Sequence, residues 1–227
     1  MWLRNVHLFL TLGLVACAGT GPQSQQLSSQ LRVQAEQGDV TAQRKLGMAY
    51  DSGQGVPRDL IEAARWYTRA AEQGDAIAQN NLGSLYLNGE GVEKDHTQAA
   101  FWFKKSADQK NAMAQNSLGL LYDEGLGVAK DKAEAVKLYT LSAEQGYTEA
   151  MLNLGILYSR GDGVPKDLVQ AYVWWDLARF YTQSAPANHP VKWRVRKYLD
   201  ELKSQMSKEQ IQQGDNAARS WEATHRR

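Results

Sequence analysis

The segment from Ala71 to Ser106, AEQGDAIAQNNLGSLYLNGEGVEKDHTQAAFWFKKS, recurs from Ala35, Ala107 and Ala143, four copies at a 36-residue period with no insertion. Self-similarity at this period marks a solenoid, in which each unit is one supersecondary element that buries its apolar face only against its neighbours. The rest of the chain then leads in, caps or tethers the stack.

Within the second copy Ala78, Leu82, Leu85 and Tyr86 share one helical stripe, and Ala99, Trp102, Phe103 and Ser106 share another. That spacing predicts two short amphipathic helices per unit. Asp59, Asp95, Asp131 and Asp167 each stand three residues before Glu62, Gln98, Glu134 and Gln170, the spacing of a capping box at the start of every second helix. A Gly-x-Gly-Val loop joins the two helices, and its first glycine (Gly53, Gly89, Gly125, Gly161) suits a left-handed helix end. No Lys-Ser/Thr follows these glycines, so they read as turns rather than a phosphate cradle. Second helices end at Gly38, Gly74 and Gly146, but at Lys110 in the third junction, which predicts a local departure there. Gly47, Gly83, Gly119 and Gly155 lie inside first helices, which predicts close helix approach against Trp66, Trp102, Leu138 and Trp174.

The pattern A-x-x-x-L-G-x-x-Y-x-x-G-x-G-V-x-x-D-x-x-x-A resembles the Sel-one-like repeat family, relatives of the tetratricopeptide repeats with a longer unit. The resemblance covers Ala35 to Ala178, and Met206-Ser-Lys-Glu-Gln-Ile resembles the family's C-terminal capping helix. It implies an all-α fold, a right-handed α/α superhelix acting as an adaptor for other proteins. The expected organisation is an export signal (1–18), a spacer (19–26), an N-terminal capping helix (27–34), repeats at 35–70, 71–106, 107–142 and 143–178, and C-terminal capping helices (179–227).

Arg4 precedes an apolar stretch of nine, Leu8 to Ala16, too short to span a bilayer, and Leu14-Val15-Ala16-Cys17 resembles a bacterial lipobox. Cys17 is then lipidated at an outer-membrane lipoprotein's N-terminus; the alternative is ordinary cleavage after Ala18 and a soluble periplasmic product. Cys17 is the chain's single cysteine, so an exported domain is held by packing alone. It also lacks the repeat disulfides of the family's cysteine-rich, β-lactam-binding branch.

Lysine and arginine number 26 against 25 aspartates and glutamates, which argues against a nucleic-acid binder. The seven tryptophans and ten tyrosines fall mostly at repeat positions and read as core. His7, His96, His189 and His225 are scattered singly, Ser-x-x-Lys is absent, and no nucleophile, base and orienting group converge. The expectation is a protein with no catalytic residue, metal or cofactor. Lys192, Arg194, Arg196, Lys197 and Lys203 make the C-terminal end basic, read as a solvated face.

On each first helix, the face opposite the core stripe carries Arg44, Met48 and Asp51, then Asn80, Ser84 and Leu87, then Asn116, Leu120 and Asp123, then Leu152, Ile156 and Ser159. By resemblance this face is concave and takes a protein or peptide partner; the alternatives are a module binding a cell-wall component or exopolysaccharide machinery and, third, an enzyme that binds or hydrolyses β-lactams. Its apolar C-terminal end suits a hydrophobic ligand end; equally, Leu120, Leu152 and Ile156 pack beneath the C-terminal cap.

Overall fold

The computed structural model describes residues 22–186 and 189–225, with side chains from Ser29 onward, and among these residues it holds eleven helices and no strand. Helix α1 (Pro22–Glu36) opens the stack. Four helical hairpins follow: α2 (Val40–Ser52) with α3 (Leu60–Glu72), α4 (Ala76–Asn88) with α5 (His96–Asp108), α6 (Ala112–Glu124) with α7 (Lys132–Ala143), and α8 (Thr148–Arg160) with α9 (Leu168–Tyr181). Two more, α10 (Pro190–Lys203) and α11 (Lys208–His225), both pack on α9. The expected cap at 27–34 is therefore part of a longer helix that takes in 22–26 of the expected spacer. Pro22 stands at the first position, where a missing N–H costs nothing, and no later glycine or proline interrupts the run before Gly38.

Each hairpin closes twice by backbone chemistry. Gly53, Gly89, Gly125 and Gly161 adopt the left-handed region at the ends of the first helices. The aspartate opening each second helix accepts hydrogen bonds from the backbone N–H groups of the first turn, as Asp95 does from Thr97 at 2.8 Å and Gln98 at 3.0 Å. The other half of the expected capping box does not form. The N–H of Asp59, Asp95, Asp131 and Asp167 instead donates to the carbonyl of Tyr50, Tyr86, Tyr122 and Tyr158, at 2.9–3.0 Å, which stitches the second helix to the end of the first. Both halves form only at Ser207 and Gln210, where no preceding hairpin offers a carbonyl.

The in-helix glycines do mark close approach, but their neighbours are one residue on from those expected. A Cβ on Gly47, Gly83, Gly119 or Gly155 would fall 2.6, 2.8, 2.9 and 2.1 Å from Tyr67, Phe103, Tyr139 and Trp175. One residue turns a helix by 100°, so Tyr67 lies over Gly47 while Trp66 packs with Ala42 and Leu46 of the same hairpin and Ala35 of α1. The second loop glycine is a seam between units. Gly91, at φ +70°, would place a Cβ 2.1 Å from the Leu60 carbonyl oxygen, and Gly127 and Gly163 repeat that contact on His96 and Lys132.

A buried glutamine ties each of the first three hairpins to the element before it and to the exposed end of its own second helix. Gln43, Gln79 and Gln115 are buried and donate to the carbonyls of Ala35, Ala71 and Ala107. Each also accepts from a glutamine 30 residues on, Gln73, Gln109 and Gln145, at 2.7, 2.8 and 2.7 Å. In the fourth unit both members change together, to Met151 and Tyr181. The departing junction is real: Lys110 holds φ at 65°, the one non-glycine positive φ among the described residues.

Candidate functional site

The face of the first helices that the sequence points to divides into rows by environment. Met48 and Leu120 are 44% and 39% exposed, apolar side chains in water with half-buried Ser84 between them. The row Arg44, Asn80, Asn116, Leu152 runs along the seam between successive first helices. There Arg44 pairs with Asp75 at 3.1 Å, Asn153 donates to Asn116 at 3.1 Å, and Asn80 is 6% exposed. Leu152 is 0% exposed, and Ile156 packs against the C-terminal core. Asn80, Leu152 and Ile156 are thus not free contact residues, because a single 100° wheel ignores that a first helix in a stack touches helices on three sides.

What closes the C-terminal end is α10. Val191, Val195, Leu199 and Leu202 bury one stripe of it, Tyr198 stacks on Trp175 with ring centroids 5.0 Å apart, and Arg194 pairs with Glu149 at 3.1 Å. A cavity of about 210 Å³ lies there, lined by Ile156, Ser159, Trp175, Tyr198 and Leu202 among others. The expectation that the apolar end packs beneath the C-terminal cap holds for Leu152 and Ile156 and fails for Leu120.

At the opposite end the groove is open. A pocket of about 630 Å³ is lined by Leu31, Met48 and Ala49 on its apolar side and by Lys45, Asp51, Tyr67 and Asn81 on its polar side. Tyr67 donates to Asp51 at 3.2 Å. Burial, then the Asp51 carboxylate, pushes the Tyr67 phenol far above its ordinary range, so it is a fixed neutral donor. Asp123, one of the other expected groove residues, is held by Lys132 at 3.3 Å, and Lys132 also reaches Asp162 of the next unit at 2.6 Å. Leu87 is half-buried against the neighbouring core, where the tyrosine of the first and third units becomes Phe103 and needs no carboxylate. Asp–Tyr and Leu–Phe therefore alternate as matched pairs along the groove.

The basic C-terminal end is mostly mortar. Lys192 donates to the carbonyls of Gln183 and Ala185, Arg194 holds Glu149, and Lys203 lies 5.5 Å over the Tyr172 ring. Trp193, which sequence spacing did not single out, is 65% exposed, the most open of the large hydrophobic side chains described. Its i+4 partner is Lys197 rather than an apolar residue, which is the signal that it stands outside the buried stripe. Cys17 and His7 lie outside the described residues. Among the described residues no group of three His, Cys, Asp or Glu is placed to hold a metal, and no helix is long and apolar enough to cross a membrane.

A family model, the Sel1 repeat, matches residues 40–75, 76–111, 112–147 and 148–179. The chain belongs to the Sel1 repeat family. Its members are in general protein-interaction scaffolds rather than catalysts. The model's register starts each Sel1 repeat at the first helix, as the hairpins do. Among solved structures, a protective antigen of uropathogenic Escherichia coli with an SLR fold is 31% identical with a TM-score of 0.67, over 81% of this chain and 42% of that one. The chain thus spans less than half of that protein. A Sel1 repeat protein from Oxalobacter formigenes is also 31% identical with a TM-score of 0.67, over 80% of this chain and 79% of that one. A Sel1 repeat protein from Klebsiella pneumoniae, at 22% identity and a TM-score of 0.53, shares the fold. A comparison with curated protein sequences finds no match.

Proposed function

We propose that this Sel1 repeat chain is a non-enzymatic scaffold of the bacterial cell envelope that holds a partner protein in the groove of its first three repeats. The observation that carries this reading is the pair Met48 and Leu120, apolar and open to water on the groove side, while their equivalent in the fourth repeat, Ile156, is covered by α10. Burying such side chains in a partner contributes about 25 cal/mol per Å² of apolar area. The envelope location rests on Arg4, the apolar run and Leu14-Val15-Ala16-Cys17. Lipidation of Cys17 anchors the chain to a membrane, since acyl chains contribute about 0.8 kcal/mol per buried CH₂.

The test is in-cell photocrosslinking. A crosslinker at Ser84 or Leu120 captures a protein partner, and one at Lys104, exposed on a second helix, captures none. Capture from Lys104 with none from Ser84 or Leu120 refutes the groove. For the anchor, Cys17→Ser moves the chain from the membrane fraction to the soluble one; unchanged fractionation, with no palmitate incorporated by the parent chain, refutes lipidation.

A further inference from the structure

We propose a second docking site at the N-terminal end of the stack, where α1 is a second helix without its first and the open place takes an α-helix of a partner protein carrying Gln-x-x-Leu-Gly. The register comes from the sequence. Ala35-Glu36-Gln37-Gly38-Asp39 stands 36 residues before Ala71-Glu72-Gln73-Gly74-Asp75, so Leu31 holds the place of Tyr67 and Gln37 that of Gln73. The packing agrees, because α1 lies on α2 as α3 lies on α4. In every complete hairpin the residue at Leu31's place is a buried ring, Tyr67, Phe103, Tyr139 or Trp175, approached closely by a glycine of its own first helix. Leu31 is only half-buried, and with Met48 and Ala49 it lines the apolar side of the pocket of about 630 Å³.

Gln37 carries the polar half of the same vacancy. Gln73, Gln109 and Gln145 each donate to the buried glutamine of their own first helix, and that glutamine stands four residues before the glycine: Gln43 and Gly47, Gln79 and Gly83, Gln115 and Gly119. Gln37 is exposed, and its side chain has no hydrogen-bond partner among the described residues. A helix with a glutamine and, four residues on, a glycine can meet Gln37 and Leu31 at once. A helix suits the place better than an extended segment, because the backbone of α1 is bonded within itself and offers no row of free groups to pair a strand. Lys45 and Asp51 both line the pocket, a charge of each sign, so selection rests on close approach and the amide pair rather than on net charge. The glycine-bearing first helices of this chain are already closed by their own rings, so the occupant comes from another protein.

Fluorescein-labelled peptides titrated by anisotropy into the full chain carrying Cys17→Ser test this. The first has the sequence from Asp75 to Asn88, which holds Gln79 and Gly83; the second carries Gly83→Leu and the third Gln79→Ala. The first should bind about ten-fold more tightly than the second, since a leucine at the crossing point prevents close approach. Gln37→Ala in the chain should weaken the first peptide about five-fold and leave the third unchanged, and Leu31→Asp should abolish binding of the first. No binding of the first peptide, equal binding of the first two, or a loss at Gln37→Ala that is the same for the first and third overturns the proposal. Two further results overturn it by naming another occupant: self-association of the chain that Leu31→Asp removes, which places a second copy there, and peptide binding that appears only once residues 1–16 are deleted, which places the chain's own N-terminus there. Crosslinking from Ser84 and Leu120 tests the groove independently, so either reading can fail without the other.

Discussion

The first three repeats and the fourth share one hairpin and one loop, yet they end in opposite surfaces. In the first three, a buried glutamine reaches across the seam to a carbonyl of the preceding helix and is held by a second glutamine of its own hairpin, and the outer face of the first helix stays at least partly wet. In the fourth, the same positions read Met151 and Tyr181, the seam residue is Leu152, and the aromatic over the in-helix glycine is Trp175, whose indole donates to the Leu152 carbonyl at 3.0 Å. Even the cap changes: Asp39, Asp75 and Asn111 cap the earlier first helices through their side chains, whereas Tyr147 makes no cap bond and packs against the C-terminal core. A 36-residue register thus carries an open face or a sealed end by exchanging polar for apolar residues at a few fixed positions, while the left-handed loop glycines and aspartate caps of the second helices stay the same.

The largest effect that would break this contrast is at Leu152. Leu152→Asp should cost as much as Leu154→Asp, about 4 kcal/mol, because each buries an unpaired charge, while Leu120→Asp should stay within about 0.5 kcal/mol. Circular dichroism melts separate the three. A Leu120→Asp chain that melts as early as Leu152→Asp would mean the third repeat is as sealed as the fourth. The seam glycines sharpen what the two regions share. Gly91→Ala and Gly163→Ala should each cost about 3 kcal/mol, from a clash with a carbonyl added to left-handed strain. Gly38→Ala, with nothing within 4 Å of a new Cβ, should cost only the backbone strain, about 1 kcal/mol.

Smaller effects reach the glutamine pairs and the caps. Gln109→Ala should cost about 1–2 kcal/mol in denaturant titrations by leaving Gln79 buried and half-satisfied. Gln79→Met with Gln109→Tyr, the fourth repeat's own solution, should recover part of that loss; a double variant worse than the sum of its single changes would show that the exchange depends on the C-terminal cap. Smallest are the helix starts. Asp95→Ala should lose about 1 kcal/mol. Gln98→Ala should be silent in the same titration, since the Asp95 N–H goes to Tyr86 rather than to the glutamine.

That last pair shows where sequence reasoning stops. Periodicity reaches both helices of every unit, the aspartate caps, the left-handed glycines and the odd junction at Lys110, because each depends on residues close in the chain. Gly91 against Leu60 joins neighbouring hairpins, while Gln73 with Gln43 and the tyrosine carbonyls join the two helices of one hairpin, so the first is seen only once hairpins are stacked and the others only once each hairpin is closed. The same holds for the groove. A helical wheel puts Met48 and Leu152 on one face, but nothing within the repeat says that α10, from outside the period, lies over the fourth unit.

The most direct measurement of that difference is thiol accessibility in a chain whose only native cysteine is replaced by Cys17→Ser. Met48→Cys, Leu120→Cys and Leu152→Cys are each followed for their rate of reaction with a maleimide under native conditions, with and without the crosslinked partner. Prompt reaction is expected at positions 48 and 120, slowed when the partner is present, and reaction at 152 only at the rate of unfolding. Equal rates at 120 and 152, or no protection of 48 and 120 by the partner, would contradict this.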